Sequence, residues 1–255
     1  MRWSIFSKTL PLFAAALAGC AAEPKGSSSG TAAVIGADDR WPMVDWKMPF
    51  TPIGRLETDR GWCTGVLFSP SMLLTNAHCV VDEDENDVSG IVFVPHKMEG
   101  ADRPRVAGTI VEVGTRRYRT AWGKDWAIIR LDQPLGREYG WLGVRPFNGS
   151  MLGQSLALVG YSRDFHGGST AGIDDRNCRI VGAVGGVDGE SGQHIEHQCD
   201  QTPGASGGPI IGIFDNAAWI VALNSGTRDA DNGGYLNFGV SSLNFLPAVQ
   251  RHGDW

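Results

Sequence analysis

The chain has 255 residues, 42% hydrophobic and 20% charged, a balance that supports a sizeable core and excludes a wholly disordered protein. Its formal net charge is −6, and loss of a leader holding Arg2 and Lys8 takes it to −8, which argues against nucleic acid as a partner. Five cysteines are an odd number for an exported protein, so one of them needs a role other than pairing.

The start of the chain reads as a targeting segment. Arg2 and Lys8 make it positive, and residues 10–18 form an apolar run too short to cross a bilayer as a helix. Leu17-Ala18-Gly19-Cys20 looks like a lipobox, so residues 1–19 are expected to be removed and Cys20 to carry lipid. A lipidated Cys20 accounts for the odd cysteine and places the protein, membrane-associated through this anchor, in the cell envelope at the outer membrane or periplasmic face. Extracellular release is the other exported destination. Residues 20–34 include a Gly/Ser-rich stretch and read as a flexible tether, which leaves 35–255 as one folded domain. There, short apolar or alternating runs at 51–57, 65–68, 72–74, 91–94, 106–113 and 126–131 predict a first set of β-strands. Runs at 156–159, 180–184, 209–214, 219–223 and 235–240 predict a second. Many short strands with no long helical period indicate an all-β sandwich or barrel. Leu243, Leu246 and Val249 share one face of a short closing helix over 241–250.

Three stretches carry candidate chemistry. At 203–209 the run P-G-A-S-G-G-P surrounds Ser206 with glycines, so the backbone can turn sharply and present both the hydroxyl and nearby N–H groups. A serine hydroxyl is a poor nucleophile without a base, and the base needs an orienting group. His78 ends an apolar run and is followed by Cys79, and Asp125 heads the apolar run 126–131. The stretches T-N-A-H-C at 75–79, D-W-A-I-I-R-L at 125–131 and G-A-S-G-G-P at 204–209 resemble the motifs of the chymotrypsin-like (trypsin-fold) serine peptidases, in the order of that family. The resemblance spans about 35–246. Within it, V-I-G-A-D-D-R at 34–40 is similar to the bacterial V8-like branch, related to the glutamyl endopeptidases.

The resemblance implies two six-stranded antiparallel β-barrels, about 50–135 and 145–240, with the site in the cleft between them. It implies a serine endopeptidase forming an acyl-enzyme on Ser206, with His78 as general base and acid and Asp125 orienting it. The N–H groups of Gly204 and Ser206 would form the oxyanion hole. No metal or cofactor is required, the substrate is a protein or peptide, and the enzyme is expected to be a monomer. The family's disulfide around the histidine loop corresponds to Cys63–Cys79, which leaves Cys178–Cys199 as a second pair and points to an oxidising compartment.

Asp200 stands six residues before Ser206, where the trypsin branch reads a basic side chain, and Gln201, Asn224, Ser225 and Gly226 complete the expected substrate pocket. In the V8-like branch acidic selectivity relies on a threonine after that aspartate and a histidine in the third strand. Here Gln201 and Asn224 stand instead, so basic, acidic and other preferences stay open. Ala205 occupies the place where zymogen-forming relatives have an aspartate that receives a new N-terminal amine, so activation by that route is not expected. Two other readings use the same sequence: a catalytically silent, lipid-anchored binding module, and an esterase with the same triad. His166, His194 and His197 lie in polar stretches and are expected at the solvated surface. The acidic run 82–87 could collect Ca²⁺ but lacks the glycine and the acidic twelfth residue of an EF-hand, so a solvated loop is expected.

Overall fold

A computed structural model describes residues 33–230 and 235–255, so the leader, Cys20 and most of the expected tether lie outside the described residues. Of the tether, Ala33 is buried, and its carbonyl accepts hydrogen bonds from the Gln201 N–H (3.3 Å) and Asn237 Nδ2 (2.8 Å). The strands are β1 (Trp41–Pro42), β2 (Ile53–Thr58), β3 (Gly61–Leu67), β4 (Met72–Thr75), β5 (Val92–Pro95), β6 (Val106–Val113), β7 (Ala127–Leu131) and β8 (Gly143–Val144), followed by β9 (Ala157–Gly160), β10 (Gly172–Asp174), β11 (Ile180–Val184), β12 (His194–His197), β13 (Pro209–Phe214), β14 (Ala217–Asp229) and β15 (Tyr235–Ser241). Helix α1 spans Gly136–Tyr139 and α2 spans Ser242–His252.

The first six-stranded barrel forms as expected, in the order β2-β3-β4-β7-β6-β5, with β5 pairing back onto β2. Closure depends on Gly54, whose added Cβ would meet the Val94 carbonyl and the Phe93 ring at 2.5 Å. In the second half the two-barrel expectation is met only as far as a sheet. Its strands form a nine-stranded sheet, β1-β10-β9-β13-β14-β15-β12-β11 with β8 parallel to β14, and the described residues do not close it. The stretch just before β9 meets the stretch around the start of β11 without a ladder, through single bonds from the Gly153 N–H to the Ile180 carbonyl (2.9 Å) and from the Leu156 N–H to the Cys178 carbonyl (3.0 Å).

Alternation along the barrel strands sends Leu56, Leu67, Leu73 and Ile129 into one apolar cluster. A larger cluster joins Val66, Leu74 and Ile128 of the barrel to Val159, Ile211, Leu223 and Val240 of the sheet, so the two halves share a core. Helix α2 closes that core with Phe245, Ala248 and Val249, and the Ser241 hydroxyl caps its start by accepting the Leu243 N–H. Both disulfides, Cys63–Cys79 and Cys178–Cys199, are formed.

Candidate active site

Register brings the first two candidate residues together. Strands β4 and β7 are antiparallel with Thr75 opposite Ala127, so the end of one lies beside the start of the other. His78 follows Thr75 on a 3₁₀ turn, Ala77–Cys79, and Asp125 precedes Ala127. The His78 Nδ1 lies 2.7 Å from Asp125 Oδ2, and the His78 N–H donates to Asp125 Oδ1 at 2.9 Å. The carboxylate thus fixes both the ring and the backbone of the histidine. Asp125 is only 2% exposed. Burial alone would depress the His78 pKa, but the Asp125 charge and hydrogen bond outweigh it and hold the imidazole above its ordinary value. Burial alone would raise Asp125, but His78 and the hydroxyl of Ser225 bring its carboxyl below the usual range.

Ser206 arrives from the other half, on the turn before β13. Gly204 (φ +103°) and Gly207 (φ +78°) flank it in left-handed backbone, and an added Cβ on Gly207 would come within 2.3 Å of the Thr64 carbonyl. Among the described residues the N–H groups of Gly204 and Ser206 have no protein acceptor, which leaves both available to a ligand oxygen. The Ser206 hydroxyl donates to the Ser225 carbonyl at 3.2 Å rather than to His78. Ser225 in turn donates its own hydroxyl to Asp125 Oδ2 at 2.5 Å, so it ties the serine loop to the His78–Asp125 pair.

Several residues that sequence reasoning missed hold this arrangement. Asn76, fully buried, donates from Nδ2 to the Asp125 carbonyl (2.7 Å) and accepts the Gly207 N–H on Oδ1 (2.5 Å). Thr64 of β3 donates its hydroxyl to the Gly204 carbonyl at 2.9 Å and its N–H to the Ser206 carbonyl at 2.8 Å. The Asn76 signal was present, as a polar residue between the β4 apolar run and His78, but its partner lies 131 positions away. His78 lines two clefts: one of about 310 Å³ with Tyr118, Trp122, Ser225 and Phe238, and one of about 160 Å³ with Arg60, Trp62 and Cys63.

Of the expected pocket residues, Asn224 and Ser225 touch the Ser206 loop, and the polar side chains largely satisfy one another. Asn224 donates to the Ala205 carbonyl (3.0 Å), and Gln201 Nε2 reaches Asn237 Oδ1 (3.2 Å). Gly226 pairs with Phe238 across β14 and β15. Asp200 is buried, accepts the Ile35 N–H at 2.8 Å and lies against Asp174, and burial raises its carboxyl above the usual range. The expectation for His197 is corrected: it is fully buried, its Nε2 meets Asn224 Oδ1 at 3.1 Å, and burial pushes it down to about 4. Alternation on β12 turns it inward with Ile195, a direction its polar neighbours concealed. His194 is half-buried against Trp122, and His166 is exposed. In the acidic loop, Glu83 and Asp87 pair with Arg119 and Arg116 at the surface.

A family model for the trypsin-like peptidase domain matches residues 63–217, more than half of the chain. The chain belongs to the trypsin-like peptidase family. This trypsin-like chain is 25% identical over 210 residues to the glutamyl endopeptidase of Bacillus licheniformis, covering 76% of this chain and 65% of that protein. It is 25% identical over 252 residues to serine protease 23 of Rattus norvegicus, covering 81% of this chain and 62% of that protein. The trypsin-like chain therefore spans less than two thirds of the length of either relative. In fold it is similar to a solved Glu endopeptidase in complex with MPD, with a TM-score of 0.69 and 19% identity over 86% of this chain and 100% of that one. It is also similar to the thermostable serine protease AL20 from an extremophilic microorganism, with a TM-score of 0.58 and 19% identity over 78% of this chain and 98% of that one.

Proposed function

We propose that this protein is an exported serine endopeptidase acting through an acyl-enzyme on Ser206. The observation that carries the reading is the His78–Asp125 pair at 2.7 Å, linked through Ser225 to the glycine-flanked Ser206. A turn about the Ser206 side chain from the Ser225 carbonyl to His78 Nε2 gives the attacking geometry. His78 then takes the hydroxyl proton as Ser206 Oγ bonds to the scissile carbonyl carbon, and returns it to the leaving amine. Asp125 stabilises the imidazolium, and the Gly204 and Ser206 N–H groups receive the oxyanion. Water repeats the sequence to release the acid.

Beyond Asn224, whose N–H and carbonyl bond to Gly208 and Gly207, the β13-side edge of β14 carries no backbone ladder among the described residues, so an extended peptide can add there beside Ser225 and Gly226. The pocket beside it favours uncharged side chains before the cut. Asp200 is committed to the Ile35 N–H, Gln201 and Asn224 offer amides, and the buried His197 is neutral. The glutamyl preference in the name of the Bacillus licheniformis relative is not carried over. Two disulfides support export, and lipid anchoring through Cys20 is part of the proposal.

The test is fluorophosphonate labelling together with mass-spectrometric mapping of cuts in a mixture of unstructured peptides, with Ser206→Ala as control. Ser206-dependent labelling and cleavage are expected. Labelling without peptide cleavage would point to an esterase, and neither signal would point to a silent binding module.

A further inference from the structure

We propose that Asp39, Asp174 and Asp200 form a binding site for a divalent cation of the calcium type. The three come from distant parts of the chain: Asp39 just before β1, Asp174 at the end of β10, and Asp200 in the stretch leading to Ser206. One carboxylate oxygen from each lies within 4.8 Å of the other two. Asp174 is 1% exposed and Asp200 4%.

Each carboxylate has one oxygen already in use. Asp174 Oδ2 accepts the Asp200 N–H at 2.6 Å, Asp200 Oδ1 accepts the Ile35 N–H at 2.8 Å, and Asp39 Oδ2 accepts Asn177 Nδ2 at 2.5 Å. Asp174 Oδ1 and Asp39 Oδ1 remain, both shielded from solvent and without any hydrogen-bond partner. Among the described residues no lysine, arginine or histidine forms an ion pair with any of the three. The neighbouring Arg40 is held by Asp38 and Asp164. Buried carboxylate oxygens with neither donor nor counter-charge are costly, and such groups are normally paired or bound to a metal.

The donor set selects the ion. Carboxylates alone, without imidazole or thiolate, suit hard cations. Oxygens at about 2.3–2.6 Å from Ca²⁺ lie up to about 5 Å apart on opposite sides of it, which matches the spread of the three aspartates. Water completes the shell. The bound ion would cross-link the segment from Ile35 to β1 to the neighbouring strand β10 and to the stretch that carries Asp200, six positions ahead of Ser206. This site does not depend on the peptidase reading.

The experiment uses purified protein stripped with EDTA and dialysed, then titrated with CaCl2 and with Tb³⁺. Binding is read by calorimetry, thermal unfolding and terbium luminescence sensitised by Trp41, whose Nε1 lies 3.0 Å from Oδ1 of the adjacent Asp175. One saturable site per chain is expected, and at about 100-fold excess over its Kd the ion should shift the unfolding equilibrium by about 100-fold. Asp174→Asn, near-isosteric and still able to accept the Asp200 N–H, should abolish that shift, and the more exposed Asp39→Asn should weaken it. Asp84→Asn in the exposed acidic loop should leave it intact. Three results would overturn the proposal: no saturable binding up to about 10 mM ion, well above the range of extracellular calcium modules; an unchanged response in Asp174→Asn; or loss of the response in Asp84→Asn. The first of these results together with a stabilised Asp174→Asn would show carboxyls that share protons instead.

Discussion

Asn76→Ala tests whether one buried amide holds the two halves of the candidate active site in register. The side chain makes two short bonds, to the Asp125 carbonyl and from the Gly207 N–H, and is fully buried. Each such bond contributes about 1 kcal/mol net, and a buried carbonyl left without a donor costs about 1–3 kcal/mol. The Gly207 N–H keeps a second acceptor, the Asn224 carbonyl at 2.9 Å, so only the Asp125 carbonyl is orphaned. The expected loss is therefore about 2–4 kcal/mol, or about 4–16 °C in Tm for a domain of this size. The same amide ties the turn of Ser206 to the segment of Asp125, and a displacement of about 1 Å at a reacting centre costs on the order of 10²-fold in rate. Calorimetry and the rate of fluorophosphonate labelling measure the two effects. A Tm within about 1 °C of the parent and labelling within about twofold would refute the reasoning, because the amide would then be neither a structural strap nor a positioning group.

Four further outcomes follow from the same geometry. The acid limb of the labelling rate should sit above the ordinary imidazole value, because His78 must be neutral to act as a base and its pKa is raised, so activity falls as pH drops through that pKa. Asp125→Asn removes the charge that opposes burial, so the limb should move to lower pH while the rate falls by about 10³–10⁴-fold; an unmoved limb would show that Asp125 does not set the His78 pKa. Gly207→Ala forces a Cβ into left-handed backbone against the Thr64 carbonyl, and should cost at least about 1–3 kcal/mol in urea unfolding; a neutral result would mean that the turn is free to rearrange. Replacing Cys63 and Cys79 together by alanine opens a loop of sequence separation 16 around His78 and should cost about 3 kcal/mol, with Tm as the readout and an unchanged Tm as the contrary result.

The sequence by itself determined the local pieces. Glycines around Ser206 encode a turn, and the apolar runs before His78 and after Asp125 encode strands close to those residues. These signals are legible because each is satisfied by backbone conformation within a few residues. Strands β6, β11 and β13 accordingly have the bounds that their apolar runs predict, whereas β1, β8, β10 and β12 are short or polar and gave no period to read. Tertiary structure alone decided what depends on partners far along the chain. It made Asn76 and Ser225 the links between loops, and turned His197 inward. It also gathered Asp39, Asp174 and Asp200 from three separate segments. It also left the second sheet without a closing ladder among the described residues. Burial and hydrogen-bond partnership are properties of the packed chain, and a polar residue in a linear sequence carries no mark of which distant group will satisfy it.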